Sequence, residues 1–213
     1  MDWLKEYSSA LNVLTNVGML GVWLIYLQIF VGSYMRARKP RVIINRGAGS
    51  DLDALILMSN MSQEPIYGQG VYCTLRMTDG SEYTATVTDR DILQKSGDDE
   101  ERPEGITSQG PLNRGDFMGL GTFRNILDIT VERNEDLPDD LSELRDRIRD
   151  FEIMVTCAFG GDDLEIAARR RFRLKVDQDP WDVVPVYPQT EQVSGRRERK
   201  RIRKMLKQEL QDS

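Results

Sequence analysis

Few residue types in this chain could carry out catalysis or hold a metal. There is no histidine among its 213 residues, which excludes Ser-His-Asp and Cys-His catalytic arrangements and metal sites built on imidazole. Cys73 and Cys157 both fall on the apolar phase of a strand pattern. We expect them to be small buried side chains in a reducing compartment. The sequence therefore predicts a protein with no enzymatic activity, no cofactor and no bound metal.

Three other patterns resemble ligand sites but lack a necessary part. Residues 46–50 (RGAGS) have no Lys-Ser/Thr to complete a phosphate loop, and residues 119–123 (GLGTF) lack the third glycine of a dinucleotide site. Both are predicted to be turns. The acidic run at 98–101 does not have the alternating ligand spacing of a calcium loop. It is predicted to lie in a solvated loop.

A dense basic cluster stands out near the C-terminal side of the chain. Eight of the twelve residues from 196 to 207 are basic: Arg196, Arg197, Arg199, Lys200, Arg201, Arg203, Lys204 and Lys207. On a helix, Ile202, Met205, Leu206 and Leu210 would form a narrow apolar stripe beside them. Such a helix could bind an anionic leaflet, where each basic residue contributes ~1 kcal/mol. An acidic protein surface, nucleic acid and the chain's own acidic body remain alternatives.

Charge is distributed along the chain in blocks. Residues 1–41 contain five basic and two acidic groups (net +3), and residues 196–213 contain eight and three (net +5). Between them, residues 42–195 contain sixteen basic and thirty acidic groups (net −14). An acidic body flanked by two basic ends argues against nucleic-acid binding by the body itself.

An apolar N-terminal segment determines where the acidic body and the basic tail are located. No charged residue occurs from Tyr7 to Met35, and Leu11 to Tyr34 is long enough to cross a hydrocarbon core of about 30 Å as a helix. A cleaved signal peptide would have a basic leader and a small-x-small site, which this sequence lacks. We therefore predict a single transmembrane helix over residues 11–34.

Basic residues predict the orientation of this helix. Arg36, Arg38, Lys39 and Arg41 follow it, whereas Lys5 alone precedes it. The positive-inside rule then places the N-terminus outside and the C-terminal domain in the cytosol, at the inner membrane of a bacterium.

A possible helix–helix interface runs along the same segment. Six residues recur at 4-3-4-3-4 spacing, which places them on one side of a helix: Leu14, Gly18, Gly21, Ile25, Gln28 and Gly32. Three of them are glycines that permit close backbone approach, and Gln28 could hydrogen-bond across the interface. The pattern predicts self-association or pairing with another membrane subunit.

The rest of the chain shows the two-residue alternation of β-strands. Residues 71–77 and 83–87 alternate apolar and polar side chains, and their buried faces match only if Thr78-Asp79-Gly80 forms a three-residue loop with Gly80 left-handed. A second hairpin over residues 150–176 pairs Glu152 with Arg171 and Asp150 with Arg173. Arg170 then points toward the core, which suggests a bulge or a sheet edge there.

These patterns predict a mainly β fold, an Ig-like antiparallel sandwich of six or seven strands. Phe123, Ile126 and Leu127 recur at helical spacing, which indicates a short helical insertion. The predicted organisation is a short N-terminal segment (1–10), the membrane helix (11–34), a basic juxtamembrane segment (35–41), the sandwich (42–176), a Pro-containing linker (177–194) and a basic amphipathic tail helix (195–213).

Taken together, the sequence predicts a non-enzymatic, membrane-tethered interaction protein, scaffold or accessory subunit. Its expected partners are the membrane itself, a protein or a second copy through the membrane helix, and anionic lipid through the tail. The alternative is a membrane-tethered regulatory protein that contacts nucleic acid through the Arg/Lys-rich tail; steeply salt-dependent binding would favour it.

Overall fold

The computed structural model describes residues 2–37, 39–88, 90–92, 110–138, 140–160, 165–177, 180–193 and 195–212. The chain divides into two compact units, Met1–Lys39 and Pro40–Ser213. The acidic run 98–101 and the tip of the second predicted hairpin at 161–163 lie outside the described residues.

The first unit is one helix, α1, which extends over Asp2–Ala37. Its Ala10–Met35 portion is 26 residues long, has a mean hydropathy of 1.7 and contains no buried part. At about 1.5 Å per residue this portion exceeds the thickness of a hydrocarbon core. The helix thus has the length and composition of a membrane span, properties that a signal sequence can share.

The second unit is mainly β and antiparallel. Its strands are β1 Val42–Arg46, β2 Leu55–Asn60, β3 Ile66–Met77, β4 Glu82–Val87, β5 Gly110–Leu112, β6 Phe117–Thr122, β7 Ile148–Phe159, β8 Ile166–Lys175, β9 Asp182–Pro185 and β10 Glu191–Val193. A three-stranded sheet, called sheet A below, has the order β1-β2-β6. A seven-stranded sheet, sheet B, has the order β10-β8-β7-β3-β4, with β5 against β3 and β9 against β8.

One hydrophobic core joins the two sheets. It contains Ile44 and Ile56 from sheet A together with Leu75 and Ile153 from sheet B, all fully buried. Both sheets therefore turn an apolar face toward the same interior. The prediction of a mainly β, antiparallel domain behind an apolar helix is confirmed.

The predicted three-residue hairpin is confirmed in its register. Cys73 pairs with Ala85 and Leu75 pairs with Tyr83, and Gly80 has a φ of 93°. This conformation is strongly unfavourable for an L residue with a Cβ atom, so glycine suits this position. The loop geometry keeps the apolar side chains of β3 and β4 on the core face.

The second hairpin follows the predicted register, including at Arg170, which pairs with Ile153. Glu152 pairs with Arg171, as expected. The prediction for Arg170 was a bulge or a sheet edge, and the ladder from Phe151–Phe172 to Cys157–Ile166 has no register shift, so the bulge is wrong. On its other side, β8 pairs with β10 up to Arg169 and with β9 from Phe172 onward, and Arg170 lies between these two pairings. Its side chain remains on the core side because it finds acceptors there, as described below.

A helix, α2, follows β6 directly and covers Phe123–Glu132. The hydroxyl of Thr122 accepts a hydrogen bond of 3.2 Å from the Asn125 amide and caps the first turn. Phe123 enters the core, where its ring centroid lies 5.9 Å from Phe151 and 4.9 Å from Phe172. Residues 119–123, predicted to be a turn, instead complete β6 and begin this helix.

A 3₁₀ turn at Leu141–Leu144 precedes β7.

The segment predicted as a linker, 177–194, contributes two strands to sheet B, so that prediction is wrong. Val183 and Val193 are buried, and β9 ends at Pro185, which has no N–H to continue the ladder. Tertiary pairing with β8 supplies the hydrogen bonds that such short segments could not form alone. A final helix, α3, spans Arg196–Asp212.

Candidate interaction surfaces

The six residues of the predicted membrane-helix interface all lie within α1. Leu14 and Ile25 are exposed, and a Cβ added at Gly18 or Gly21 would meet no atom within 4 Å. The spacing places Gln28 and Gly32 on the same side. This side of α1 therefore has room for a closely packed neighbouring helix at its two central glycines.

An aromatic face lies on the side of α1 opposite those glycines, and the sequence reasoning did not identify it. Trp23, Tyr26 and Phe30 form an open apolar groove with neighbouring aliphatic side chains. The rings of Phe30 and Tyr34 stack with centroids 6.4 Å apart. The 3-4-4 spacing of these four aromatic residues in the sequence would have predicted that they share one side of a helix. The helix has one small-residue side and one bulky side.

The basic residues after the apolar segment have different positions. Arg36 belongs to the last turn of α1, Arg38 lies outside the described residues, and Lys39 follows the helix. Arg41 leads into the domain, where its backbone N–H donates to Ser62 Oγ at 2.8 Å. Its carbonyl accepts a 2.8 Å bond from the Met61 amide. The chain is thus fixed to the domain from Arg41 onward.

The tail helix α3 packs against the start of β8. Ile202 is only 7% exposed and lies in a small apolar cluster with Ala167 and Val193. Arg199 Nε donates to the Glu165 carbonyl at 2.8 Å. Arg203 Nε lies 3.4 Å from the carboxylate of the same glutamate. Arg199 and Arg203, two of the eight basic tail residues, therefore hold α3 on the domain. Contact of the tail with the chain's own acidic body was one of the alternatives that the sequence left open.

The opposite side of α3 is a basic stripe. Arg197, Lys200, Arg201 and Lys204 are exposed and recur three or four residues apart, so they share one face of the helix. Arg196 is exposed in the first turn; the side chain of Lys207 lies outside the described residues. Docking leaves this stripe available for an anionic partner.

A charge network occupies the outer face of sheet B. Arg76 lies 3.0 Å from Glu82, 3.2 Å from Asp150 and 3.4 Å from Glu152. Arg171 approaches Asp150 at 3.6 Å and Glu152 at 3.7 Å. Burial lowers the pKa of Arg76, but these carboxylates outweigh it and raise the pKa above its usual value. The arginines and acids of this face neutralise one another.

The predicted pair between Asp150 and Arg173 does not form. Asp150 binds Arg76 and Arg171 as above and also Arg149, at 3.0 Å. Arg173 is exposed and lies opposite Val184 of β9. Asp150 lies opposite Arg76 of β3, so its carboxylate is bound by a strand that counting along the hairpin does not include.

Arg170 joins the two sheets from inside. It is only 9% exposed, and its Nη1 donates to the Ile44 carbonyl at 2.6 Å and also to the Asn45 side chain. Its Nη2 donates to the Pro188 carbonyl at 3.3 Å, and the guanidinium lies 5.6 Å from the Phe172 ring. The guanidinium thus ties β1 of sheet A to β8 of sheet B.

The edge strand β1 is closed by side chains rather than by another strand. The Val42 amide donates to the Gln192 side chain and the Ile44 amide to the Thr190 hydroxyl, each at 3.0 Å. Burial lowers the pKa of Arg170, and the guanidinium of Arg46 lowers it further. These contacts satisfy an exposed edge that could otherwise pair with another chain.

Another polar contact lies between α2 and the segment that follows β4. Arg133 binds Asp91 at 2.7 Å, and the Thr88 amide and hydroxyl donate to the same carboxylate at 2.8 and 2.6 Å. Burial raises the pKa of Asp91, but these bonds outweigh it and hold the pKa below its usual 3.8. The contact fixes α2 to the end of β4.

A cleft of about 330 Å³ lies between α2, the 3₁₀ turn and the segment that begins β9. Leu141 and Trp181 form apolar walls, and Asp128 and Arg124 line its rim. Arg124 is held by Asp53 through bonds of 2.6 and 3.1 Å, and the hydrogen bond from Arg124 lowers the pKa of Asp53. No group of acids and cysteines suited to a metal ion occurs among the described residues.

Comparison with known proteins finds no relative. No protein-family model, no curated protein and no solved structure matches this chain. The function must therefore be inferred from the surfaces described above: the two sides of α1, the basic stripe of α3 and the exposed parts of the β domain.

Proposed function

We propose that this chain is a membrane-anchored, non-enzymatic interaction protein. In this proposal α1 crosses the bilayer with its N-terminus outside, and the β domain faces the cytosol. The observation that supports it most is an apolar span of 26 residues with no buried part, joined directly to a unit with its own core. An unburied apolar helix of this length is stable in lipid and would aggregate in water.

The strand order supports an Ig-like sandwich as the cytosolic module. Sheet A runs β1-β2-β6, and the middle of sheet B runs β8-β7-β3-β4. Equating β1, β2 and β6 with strands A, B and E, and β3, β4, β7 and β8 with C, C′, F and G, reproduces the Ig arrangement. Strands β9 and β10 then extend sheet B. Domains of this kind bind partners through outer sheet faces and through loops.

The non-enzymatic part of the proposal rests on the chemistry of the side chains. The chain contains no histidine, and burial raises the pKa of both cysteine thiols to about 12, so neither provides a thiolate near neutral pH. The arginines and carboxylates of sheet B bind each other. These groups stabilise the fold rather than activate a substrate.

Membrane integration and orientation can be tested together. The full chain should resist alkaline carbonate extraction and retain its first residues in the mature protein. A reporter active only outside the cytosol, fused after Ser213, should remain inactive. Loss of α1 by cleavage, or strong reporter activity, would refute the anchored topology.

We further propose that the glycine side of α1 packs against another helix, in a second copy or in a membrane subunit. Replacing Gly18 and Gly21 with Ile should remove crosslinking within the membrane, because the added side chains prevent close backbone approach. Leu20→Ile with Leu27→Ile introduces the same residue away from that side and serves as the control. Equal crosslinking in both variants would exclude the interface.

The basic stripe of α3 favours a second candidate function, contact with nucleic acid. If it holds, binding of RNA or DNA by the full chain should weaken steeply with salt, with a slope of about −0.9 per phosphate contacted in B-DNA. Lys200→Gln with Lys204→Gln should reduce that slope. Binding that does not weaken as the salt concentration rises, or that is unchanged in this variant, would exclude nucleic-acid binding by the basic stripe.

A further inference from the structure

Exposed large hydrophobic side chains gather at one end of the β domain. Among its described residues, four such side chains are strongly exposed: Met61 (51%), Tyr67 (49%), Phe117 (68%) and Tyr187 (60%). All but Tyr187 lie at the same end. Single exposed hydrophobic residues need no explanation, but these three offer apolar side chains to any surface that lies across this end of the domain.

Backbone pairing fixes where this end is. The Met61 amide bonds to the Arg41 carbonyl, and Phe117 pairs with Ser59 of β2. Tyr67 pairs with Pro111 of β5, which precedes the 113–116 turn leading to Phe117. Met61, Tyr67 and Phe117 therefore surround the point at which the chain enters the domain, and together they are called the apolar rim.

The rim occupies two different faces. Phe117 alternates with the buried Met118, so it points away from the core on sheet A. Tyr67 alternates with the buried Ile66 on sheet B. A flat partner face placed against either sheet would reach only one side of the rim. A surface lying across the ends of the strands would reach both.

The chain itself limits how far this end can be from a bilayer. Five residues lie between Met35, the last residue of the apolar span, and Arg41, so six Cα–Cα steps join the two. Even fully extended, these steps span about 20 Å, and part of this stretch is helical. If α1 crosses the membrane, the apolar rim is thus held near the headgroups on the side of the domain.

The charges at this end suit an anionic surface, although the domain as a whole is acidic. Arg41 and Arg114 are exposed there, against the single exposed Asp116 of the same turn. The first turn of α3, with exposed Arg196, Arg197 and Glu198, lies near this end of the domain, because Gln192, four residues before Arg196, accepts a hydrogen bond from the Val42 amide. Basic groups around apolar side chains are typical of interfacial binding.

We propose that the apolar rim inserts into the headgroup region of the anionic leaflet from which α1 emerges and seats the β domain on the membrane. This inference rests on the proposed membrane anchoring. The rim side chains would enter the boundary between headgroups and acyl chains, at a depth of about 5–10 Å. The domain is then oriented with its other end, at the β3–β4 loop, away from the bilayer.

The test uses the full chain in liposomes of phosphatidylcholine and phosphatidylglycerol. Phe117→Cys and, separately, Tyr67→Cys are labelled with an environment-sensitive fluorophore. Thr78→Cys, exposed at the opposite end of β3, is the matched control. Cys73 and Cys157 are buried, and the wild-type chain should take up no label.

Probes at positions 117 and 67 should emit at shorter wavelength than the probe at 78. Lipids spin-labelled near the headgroup should quench them several-fold more strongly, and aqueous iodide should quench them less. Omitting phosphatidylglycerol should reduce these differences. Probes as accessible to iodide as the control, in protein that still resists carbonate extraction, would overturn the inference and leave the anchoring intact.

Two other results would also overturn it. A probe at 117 shielded from iodide but not quenched by spin-labelled lipid, with disulfide crosslinking between the introduced cysteines of two chains, would identify a second copy as the occupant. Extraction of the protein by carbonate would overturn the anchoring and, with it, the membrane contact of the rim.

Discussion

The attachment of α3 to the β domain leads to a quantitative prediction for Ile202→Ala. This substitution removes three carbon atoms from a side chain that packs on Ala167 and Val193. At about 0.8 kcal/mol per buried carbon the full loss would be about 2.4 kcal/mol, and because this cluster lies at the domain surface we expect about 1–2 kcal/mol. The bonds from Arg199 and Arg203 to Glu165 remain. The loss should therefore appear as local opening of α3 rather than as unfolding of the core.

Hydrogen exchange of backbone amides in residues 199–204 measures this opening directly. A loss of 1–2 kcal/mol corresponds to exchange about 5–30-fold faster. Lys200→Ala is the control, because it truncates an exposed side chain of the same helix and should leave protection unchanged. Equal protection in wild type and Ile202→Ala would refute the packing argument. A matching loss of protection throughout β7 and β8 would refute the idea that α3 opens alone.

Three other substitutions test individual contacts. Gly80→Ala should cost about 1–2 kcal/mol of unfolding free energy because Gly80 has a φ of 93°, whereas Gly160→Ala, with open space around it, should change stability by less than about 0.5 kcal/mol; denaturant titration compares them. Arg170→Lys should cost about 1.5–3 kcal/mol, since an ammonium cannot reach all the acceptors of the guanidinium, and Arg173→Lys, exposed, should be neutral. Hydrogen bonds that outweigh burial hold the pKa of Asp91 below 3.8, so its ionised form stabilises the fold above that pH and the stabilisation is lost as pH falls through the lowered pKa. Asp91→Asn should therefore be less stable at neutral pH and lose less stability on acidification, and identical pH profiles would contradict this.

Local sequence pattern was sufficient where one face of an element is buried. The alternation around Cys73 and Ala85 determined both the register and the loop of the first hairpin, because a shift of one residue would turn every apolar side chain outward. The spacing of Phe123, Ile126 and Leu127 likewise matches the buried side of α2. The uncharged run from Tyr7 to Met35 specified an apolar helix by length and composition alone.

Pattern failed where the partner of a residue is distant in the chain. Residues 177–194 read as a linker because prolines interrupt them, yet their hydrogen bonds come from β8. Arg170 appeared misplaced because its acceptors belong to residues 44, 45 and 188. These residues are distant in the chain, so the strand alternation around Arg170 cannot predict them. The same holds for the basic tail: sequence grouped its eight basic residues, but tertiary contact with Glu165 separated docking residues from exposed ones.

The apolar N-terminal helix and the antiparallel β character of the rest were thus determined by the sequence itself, since both depend on the periodicity of burial within single elements. Tertiary structure alone decided how the surfaces are divided: which side of α3 faces the domain, how β1 is closed by Thr190 and Gln192, and that Met61, Tyr67 and Phe117 lie at the same end of the domain. These arrangements depend on which strands become neighbours, and that choice is made by packing of the common core rather than by any one segment.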